Sequence, residues 1–271
     1  MIRAALALLP VLGAAVVLTG TAAAQSFTGQ SAELQLAPLA RAGPAIWVNP
    51  AGLASRDASI EGHLTLRRDS AVDFANAGLA IITNGLAFGY QRDRRGDGGS
   101  GAAYALALGL GDPVFSLGIS RRWYKSSGVL TGTWDVGTNW RPAPPFTLTL
   151  VWRDAGSPRM RDTAVSAVLI PGAAARFGAA ALAAEWELVT KGLGTSAVRA
   201  GGQLVLGRFT IGIRGSFSGE ARSRSVALQV LWTGLGVSSG AYAVAGGPGA
   251  PDQAGLTGAL ITRPLEQGRW R

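Results

Sequence analysis

The stretch Ser196–Phe217, SAVRAGGQLVLGRFTIGIRGSF, decides how the chain folds. Read with a period of two, Val198, Leu204, Leu206, Phe209, Ile211, Ile213 and Phe217 share one face, while Arg199, Gln203, Thr210, Arg214 and Ser216 share the other. Successive side chains on a strand point to opposite faces, so this is a strand pattern, not a helical one. Gly207-Arg208 is the only break between the two apolar runs. A two-residue hairpin turn there pairs Leu206 with Phe209 and Leu204 with Ile211, and both strands then place their apolar side chains on the same side. Taken alone, such a hairpin fits a soluble sandwich as well as a membrane barrel. Its recurrence along the chain, and what precedes it, separates the two.

The chain has 271 residues, 48% of them hydrophobic, with a mean hydropathy of +0.24, 39 glycines, no cysteine and a formal charge of +9. Beyond residue 24 no apolar run approaches the roughly 20 residues that a membrane helix needs. Before it, Arg3 supplies a positive start, Ala4 to Leu18 an apolar stretch, and Ala22-Ala23-Ala24 a small-residue cleavage site. Residues 1–24 therefore read as a secretory signal peptide. An exported chain without cysteine has no disulfides, and its rigidity must come from backbone pairing and packing. In lipid only helices and closed barrels satisfy every backbone polar group, which leaves an all-β transmembrane barrel.

Alternation and turn signals place strands at 58–68, 72–83, 86–94, 101–110, 114–124, 130–140, 146–154, 162–170, 174–189, 196–206, 209–218, 223–232, 235–245 and 254–263. That is fourteen, an even number that leaves both termini of an antiparallel, up-and-down barrel on the periplasmic side. The connections alternate in length. Even-numbered strands end in tight turns such as Asn84-Gly85, Pro171-Gly172, Gly207-Arg208 and Thr233-Gly234, and odd-numbered ones in longer polar loops such as Arg92–Ser100 and Asp154–Arg161. Short periplasmic turns and longer outer loops are the asymmetry of an outer-membrane barrel, here residues 58–264, followed by a tail at 265–271.

Residues 25–57 do not alternate and hold Pro38, Gly43, Pro44, Asn49, Pro50 and Gly52, punctuation that stops strands and long helices. The triplet Asn49-Pro50-Ala51, in a short irregular segment between signal peptide and first strand, resembles the N-terminal hatch of the long-chain fatty acid transporter family of outer-membrane proteins. It is also similar to the outer-membrane shuttle protein of type IX secretion, which shares that fold. The resemblance implies a fourteen-stranded barrel with Asn49, Pro50 and Ala51 in a hatch folded inside it, and transport of hydrophobic molecules.

Side-chain parity sorts the two faces. Ile60, Leu64, Leu66, Phe88, Leu106, Phe115, Leu117, Leu148, Val226 and Leu228 face lipid, and Glu61, His63, Thr65, Ser116, Ser120, Asp135, Asn139, Thr149 and Arg153 the lumen. The eighth and thirteenth strands, rich in Ala, Val and Ser, do not declare an orientation. Small lumen residues leave a barrel of this width unfilled, and residues 25–57, with Leu34, Leu36, Ile46 and Trp47, are the segment to plug it. With Leu188 opposite Ser196, Glu185 falls opposite Arg199. A lumenal polar cluster of Glu185, Glu187, Arg199 and Arg214, with His63 also on the lumen face, is expected, either as pairing across the wall or as a site for a substrate headgroup.

The basic excess, 25 cations against 16 acids, does not point to nucleic acid, because Arg92, Arg94, Arg95, Arg121, Arg122, Lys125, Arg159, Arg161, Lys191, Arg222 and Arg224 fall at the outer rim. There they would meet phosphates of the outer-membrane lipid and lipopolysaccharide. One histidine, no cysteine and no hydrolase, nucleotide or metal-site spacing argue against an enzyme and against any cofactor or metal. The first functional reading is a monomeric barrel of the cell outer membrane that admits hydrophobic small molecules such as fatty acids. The others are a docking barrel for exported proteins and the membrane module of a larger protein.

Overall fold

Alternating apolar and polar residues give strands, and the strands close on themselves. The computed structural model describes residues 34–55, 58–68, 72–94, 100–126, 128–160, 163–191, 194–219, 223–246 and 252–261. The expected signal peptide 1–24 and tail 265–271 lie outside them, as do Arg95, Arg161 and Arg222. In chain order come helix α1 (Ala42–Val48), a 3-10 turn (Pro50–Ser55), then β1 (Ser59–Arg68), β2 (Val72–Thr83), β3 (Leu86–Arg94), β4 (Ser100–Gly111), β5 (Phe115–Ser126), β6 (Val129–Trp140) and β7 (Phe146–Ala155). These are followed by β8 (Arg159–Met160), β9 (Thr163–Ala164), β10 (Val168–Phe177), β11 (Ala180–Val189), β12 (Thr195–Leu206), β13 (Phe209–Ser218), β14 (Ser223–Gly234), β15 (Val237–Gly246) and β16 (Asp252–Ile261). Fourteen strands form one closed antiparallel barrel, sealed where β1 pairs with β16 from Ser59 opposite Ile261 to Arg68 opposite Asp252. The short β8–β9 hairpin stands apart in the loop between β7 and β10.

The hairpin around Gly207-Arg208 has the register expected of it, with Leu206 opposite Phe209 and Leu204 opposite Ile211. Gly207 turns with φ +61°, as Asn84-Gly85 does with +48° and +90°, left-handed values that let a two-residue connection follow the twist of its strands. Two turns differ from expectation. Pro171-Gly172 does not turn at all: it lies inside β10, opposite Leu150 and Thr149 of β7. Proline has no N–H to donate, and the ladder to β11 lapses at Ile170 and Pro171 before resuming at Gly172 opposite Glu185. The turn comes instead at Gly178, φ +59°, which shortens the expected strand 174–189 to β11. Likewise Leu235-Gly236, not Thr233-Gly234, joins β14 to β15, with φ of +54° and +78°.

The outward face carries a broad apolar belt: Ile60, Phe88, Leu106, Leu117, Leu150, Ile213 and Leu228 are all exposed, and Leu117 and Leu228 each keep 48% of their surface. In water so much exposed apolar area would drive association, whereas in a bilayer it is the required surface. β10 turns Val168, Ile170 and Ala174 inward, and β15 turns Tyr242 and Val244 inward, which settles the two strands whose orientation the sequence left open. Trp134, Trp140 and Trp152 face out and are half exposed.

Candidate functional site

The lumen is occupied by residues 34–55. Buried Ile46, Trp47, Val48 and Leu53 form the core of the molecule with Ala80, Ala87, Ala103, Ala105, Ala107 and Val151 of the barrel wall. The hatch lies so close to the wall because the wall gives way there. Gly109, Gly118 and Gly137 are direct partners across β4, β5 and β6, a row of three residues without side chains about 10 Å across. A Cβ at Gly109 would meet Leu53 and the Ala54 amide within 3.0 Å, one at Gly118 the Pro50 and Ala51 backbone, and one at Gly137 the Asn49 side chain. Gly89 of β3 accepts the Trp47 ring in the same way. Only glycine permits backbone to lie this near backbone.

Asn49 fastens the hatch. It is wholly buried, accepts a hydrogen bond from Ala51 N on its Oδ1 at 3.2 Å, and donates from Nδ2 to Ala37 O at 3.1 Å and to Asn139 Oδ1 at 2.8 Å. One side chain thus starts the 3-10 turn, ties two hatch segments together and joins them to β6. Pro50 opens the 3-10 turn with a fixed φ, and Ala51 follows it, both buried.

On the other side, charges hold the hatch. Glu185 lies opposite Arg199 in the ladder, and their side chains meet at 3.0 Å. Arg199 also reaches Glu187 Oε2 at 2.7 Å, and Ser196 Oγ donates to Glu187 Oε1 at 2.7 Å. A bulge after Glu187 sets Leu188 opposite Thr195, one residue from the expected Ser196, without disturbing the pair below. The second Glu185 oxygen accepts from the hatch, from Ala37 N at 2.6 Å. Arg214 donates to Gln35 O at 3.0 Å, so it grips the hatch backbone. Arg153, on β7, lies 3.7 Å from Glu187 and donates to Val48 O at 3.5 Å.

Two parts of the expected assignment are corrected. His63 is not brought to this cluster: on β1 it hydrogen-bonds Asn76 at 2.5 Å, and Asn76 bonds Asp93, which also accepts from Gln91 at 3.0 Å. Arg122 is not at the rim but has no exposed side-chain surface, bridging Asp135 at 2.7 Å and Asp154 at 2.8 Å inside the lumen. Its neighbour Arg121 does face out, because consecutive strand residues take opposite sides. Four arginines (122, 153, 199, 214) and four carboxylates (135, 154, 185, 187) thus share the lumen, and charge that would be costly alone is balanced there.

The helix and 3-10 turn of the hatch adhere to β2–β7, while Leu36 packs against Ala174 and Ala183 and Leu34 against Ala227 and Tyr242, so the opposite half of the barrel stays open only towards the two-residue turns. A cavity of about 820 Å³ lies between the hatch and the strand ends of β10–β16 and β1 nearest the two-residue turns, lined by Leu39, Val205, Leu231, Gln203, Gln229 and Glu61 among others. Arg41 and Arg176 line it too, with Arg141 close by. Arg141, in the β6–β7 turn, is held below its usual range by burial first and by the charge of Arg41 second. Among the described residues no group of His, Asp and Glu is arranged to hold a metal ion.

No protein-family model matches the chain, and no curated protein matches it in sequence. Among solved structures the barrel is similar to the Acinetobacter baumannii outer membrane protein Omp33, with a TM-score of 0.52 and 10% identity over 76% of this chain and 98% of that one. It is also similar to a TodX deltaS2S3 mutant, a monoaromatic hydrocarbon channel, with a TM-score of 0.58 and 10% identity over 81% of this chain and 94% of that one. The likeness is one of fold. A closed barrel of this type with an apolar outer belt is a protein of the cell outer membrane.

Proposed function

We propose that the chain is a hatch-gated channel for small hydrophobic molecules, fatty acids among them. The observation that carries this reading is the cavity left beside the seated hatch. Residues 34–55 close the lumen against β2–β7 yet leave a compartment of about 820 Å³ beside them, a volume suited to a ligand of a few tens of atoms. Apolar Leu39, Val205 and Leu231 can hold a hydrocarbon chain, and Arg41 and Arg176 can receive a carboxylate. Opening then requires the hatch to leave its glycine row, while Arg214 and Glu185 keep hold of its backbone. A hinge and a latch on opposite sides permit movement without loss of the hatch.

Flux of a labelled fatty acid and of its methyl ester into proteoliposomes tests the reading. Wild type should pass the acid faster than the ester, and Asn49→Ala, which loosens the hatch, should raise both rates. No flux from either protein would defeat the channel reading. Equal rates for acid and ester would remove Arg41 and Arg176 from it.

A further inference from the structure

The outward face of the wall carries a second site, at the end of the barrel bearing the longer loops. Tyr90, Tyr104 and Trp123 are direct ladder partners across β3, β4 and β5, all facing out, and the two tyrosine rings lie 5.3 Å apart at 47°. One step nearer the loops, Arg92, Ala102 and Lys125 form the next outward row. Arg121 completes the group from one step below. Its guanidinium lies 4.9 Å from the Trp134 ring centroid and 5.8 Å from that of Trp123, over Gly132, where a Cβ would stand 2.7 Å from its Nη2. Two indoles and a missing side chain fix this cation in place.

Among the described residues the charge of this patch has no protein answer. Arg94, on the same strand, has Asp73 at 3.4 Å, but among the described residues no carboxylate pairs with Arg92, Arg121 or Lys125. Beneath the patch the wall is purely apolar, with Leu106, Leu108, Leu117 and Ile119 exposed. A cation facing lipid is destabilising unless it reaches the headgroup level and an anion there. Aromatic rings prefer that same level.

We propose that this face binds a phosphate-bearing lipid of the adjoining leaflet, with its phosphate among Arg92, Arg121 and Lys125, its headgroup on the Tyr90–Tyr104–Trp123 row and its acyl chains on the leucines below. The apolar wall continuous with the cations favours a lipid over a free anion. The site is independent of the transport reading, because none of these residues faces the lumen.

Native mass spectrometry of the full chain in detergent, with lipid A and with dephosphorylated lipid A, tests this. Wild type should keep lipid A and release the dephosphorylated form, and inorganic phosphate should not displace it. The triple variant Arg92→Gln, Arg121→Gln, Lys125→Gln should hold at least about tenfold less, the loss expected when charge-assisted hydrogen bonds are removed. Arg121→Gln alone should fall between the two, and Arg208→Gln, at the opposite end of the barrel, should match wild type. Heat-shifted gel mobility shows which variants are folded, and Arg121→Gln supplies the comparison if the triple variant is not. Equal retention by wild type and Arg121→Gln, equal retention of both lipids, displacement by phosphate, or the same loss in Arg208→Gln would each overturn the site.

Discussion

The hatch touches the barrel in two unlike ways. Against β4, β5 and β6 it rests on a wall with no side chains, where Gly109, Gly118 and Gly137 let Pro50–Leu53 lie backbone to backbone. Towards β7, β11 and β13 long charged side chains reach its peptide groups, Arg153 to Val48, Glu185 to Ala37 and Arg214 to Gln35, beside the small apolar contact of Leu36 with Ala174 and Ala183. Contact by shape fails when one methyl group is added, whereas contact by charge tolerates displacement but fails when a partner is lost. The difference teaches that this hatch can come away from one side while the other keeps its hold.

The largest effect should follow from breaking the buried charge network behind the glycine row. Arg122→Met leaves Asp135 and Asp154 buried without their shared cation, and should lower stability by about 3–5 kcal/mol. Urea unfolding in lipid vesicles measures it. A loss below about 1 kcal/mol would mean the network is not a unit.

Next comes the shape side, where the two halves predict opposite signs for one substitution. Gly118→Ala puts a Cβ into the Pro50–Ala51 backbone, an overpacking worth about 1–3 kcal/mol, and should raise conductance as the hatch lifts. Gly212→Ala, on the lumen face of β13, finds nothing nearer than 3.9 Å and should stabilise by about 0.4–1 kcal/mol through the unfolded chain alone. Two equal responses would erase the distinction between the halves.

Asn49→Ala should act between these sides at a smaller cost, about 1–2 kcal/mol, because it removes the bond that starts the 3-10 turn and those to Ala37 and Asn139 together. Hydrogen exchange of hatch amides is the measurement. Faster exchange at Ala51 with unchanged exchange in β11–β13 fits a local fastening; no change at Ala51 removes Asn49 from that role.

Much of this was readable from residue order, and the exceptions have physical causes. Glu185 opposite Arg199 follows from strand parity and one hairpin, both local properties, and the bulge after Glu187 falls above the pair. Arg122 is misread when Arg121-Arg122 is taken as one basic doublet at a loop; the parity of Ser116 and Ser120 on the same strand already sends it inward. Pro171-Gly172 carries the chemistry of a turn, and only the loss of two ladder positions towards β11 lets β10 contain it. The glycine row was beyond reach, since Gly109, Gly118 and Gly137 become neighbours only when two registers are known at once. Arg214 with Gln35 depends on the path of the hatch, which no periodicity encodes.

The smallest effect lies in the turns beneath the two halves. On the open side, Gly207-Arg208 and Leu235-Gly236 turn through left-handed backbone alone, with no carboxylate in the turn. Under the glycine row, the turn from β4 to β5 is fastened by Asp112, whose Oδ1 accepts from Phe115 N at 2.8 Å and Val114 N at 2.7 Å. Those bonds, Phe115 first, hold the Asp112 carboxyl below its ordinary value of 3.8. A depressed folded value means that the bonds contribute fully above pH 3.8 and are lost as pH falls through the folded value. NMR shifts of the Val114 and Phe115 amides should therefore titrate together with a midpoint below 3.8, and Asp112→Asn should abolish the step. A midpoint at or above 3.8 would show that the carboxylate does not fasten this turn. The turn at Gly207 should not respond over the same range, so of these turns acid would loosen the one that joins the strands carrying Gly109 and Gly118, beneath the seat of the hatch.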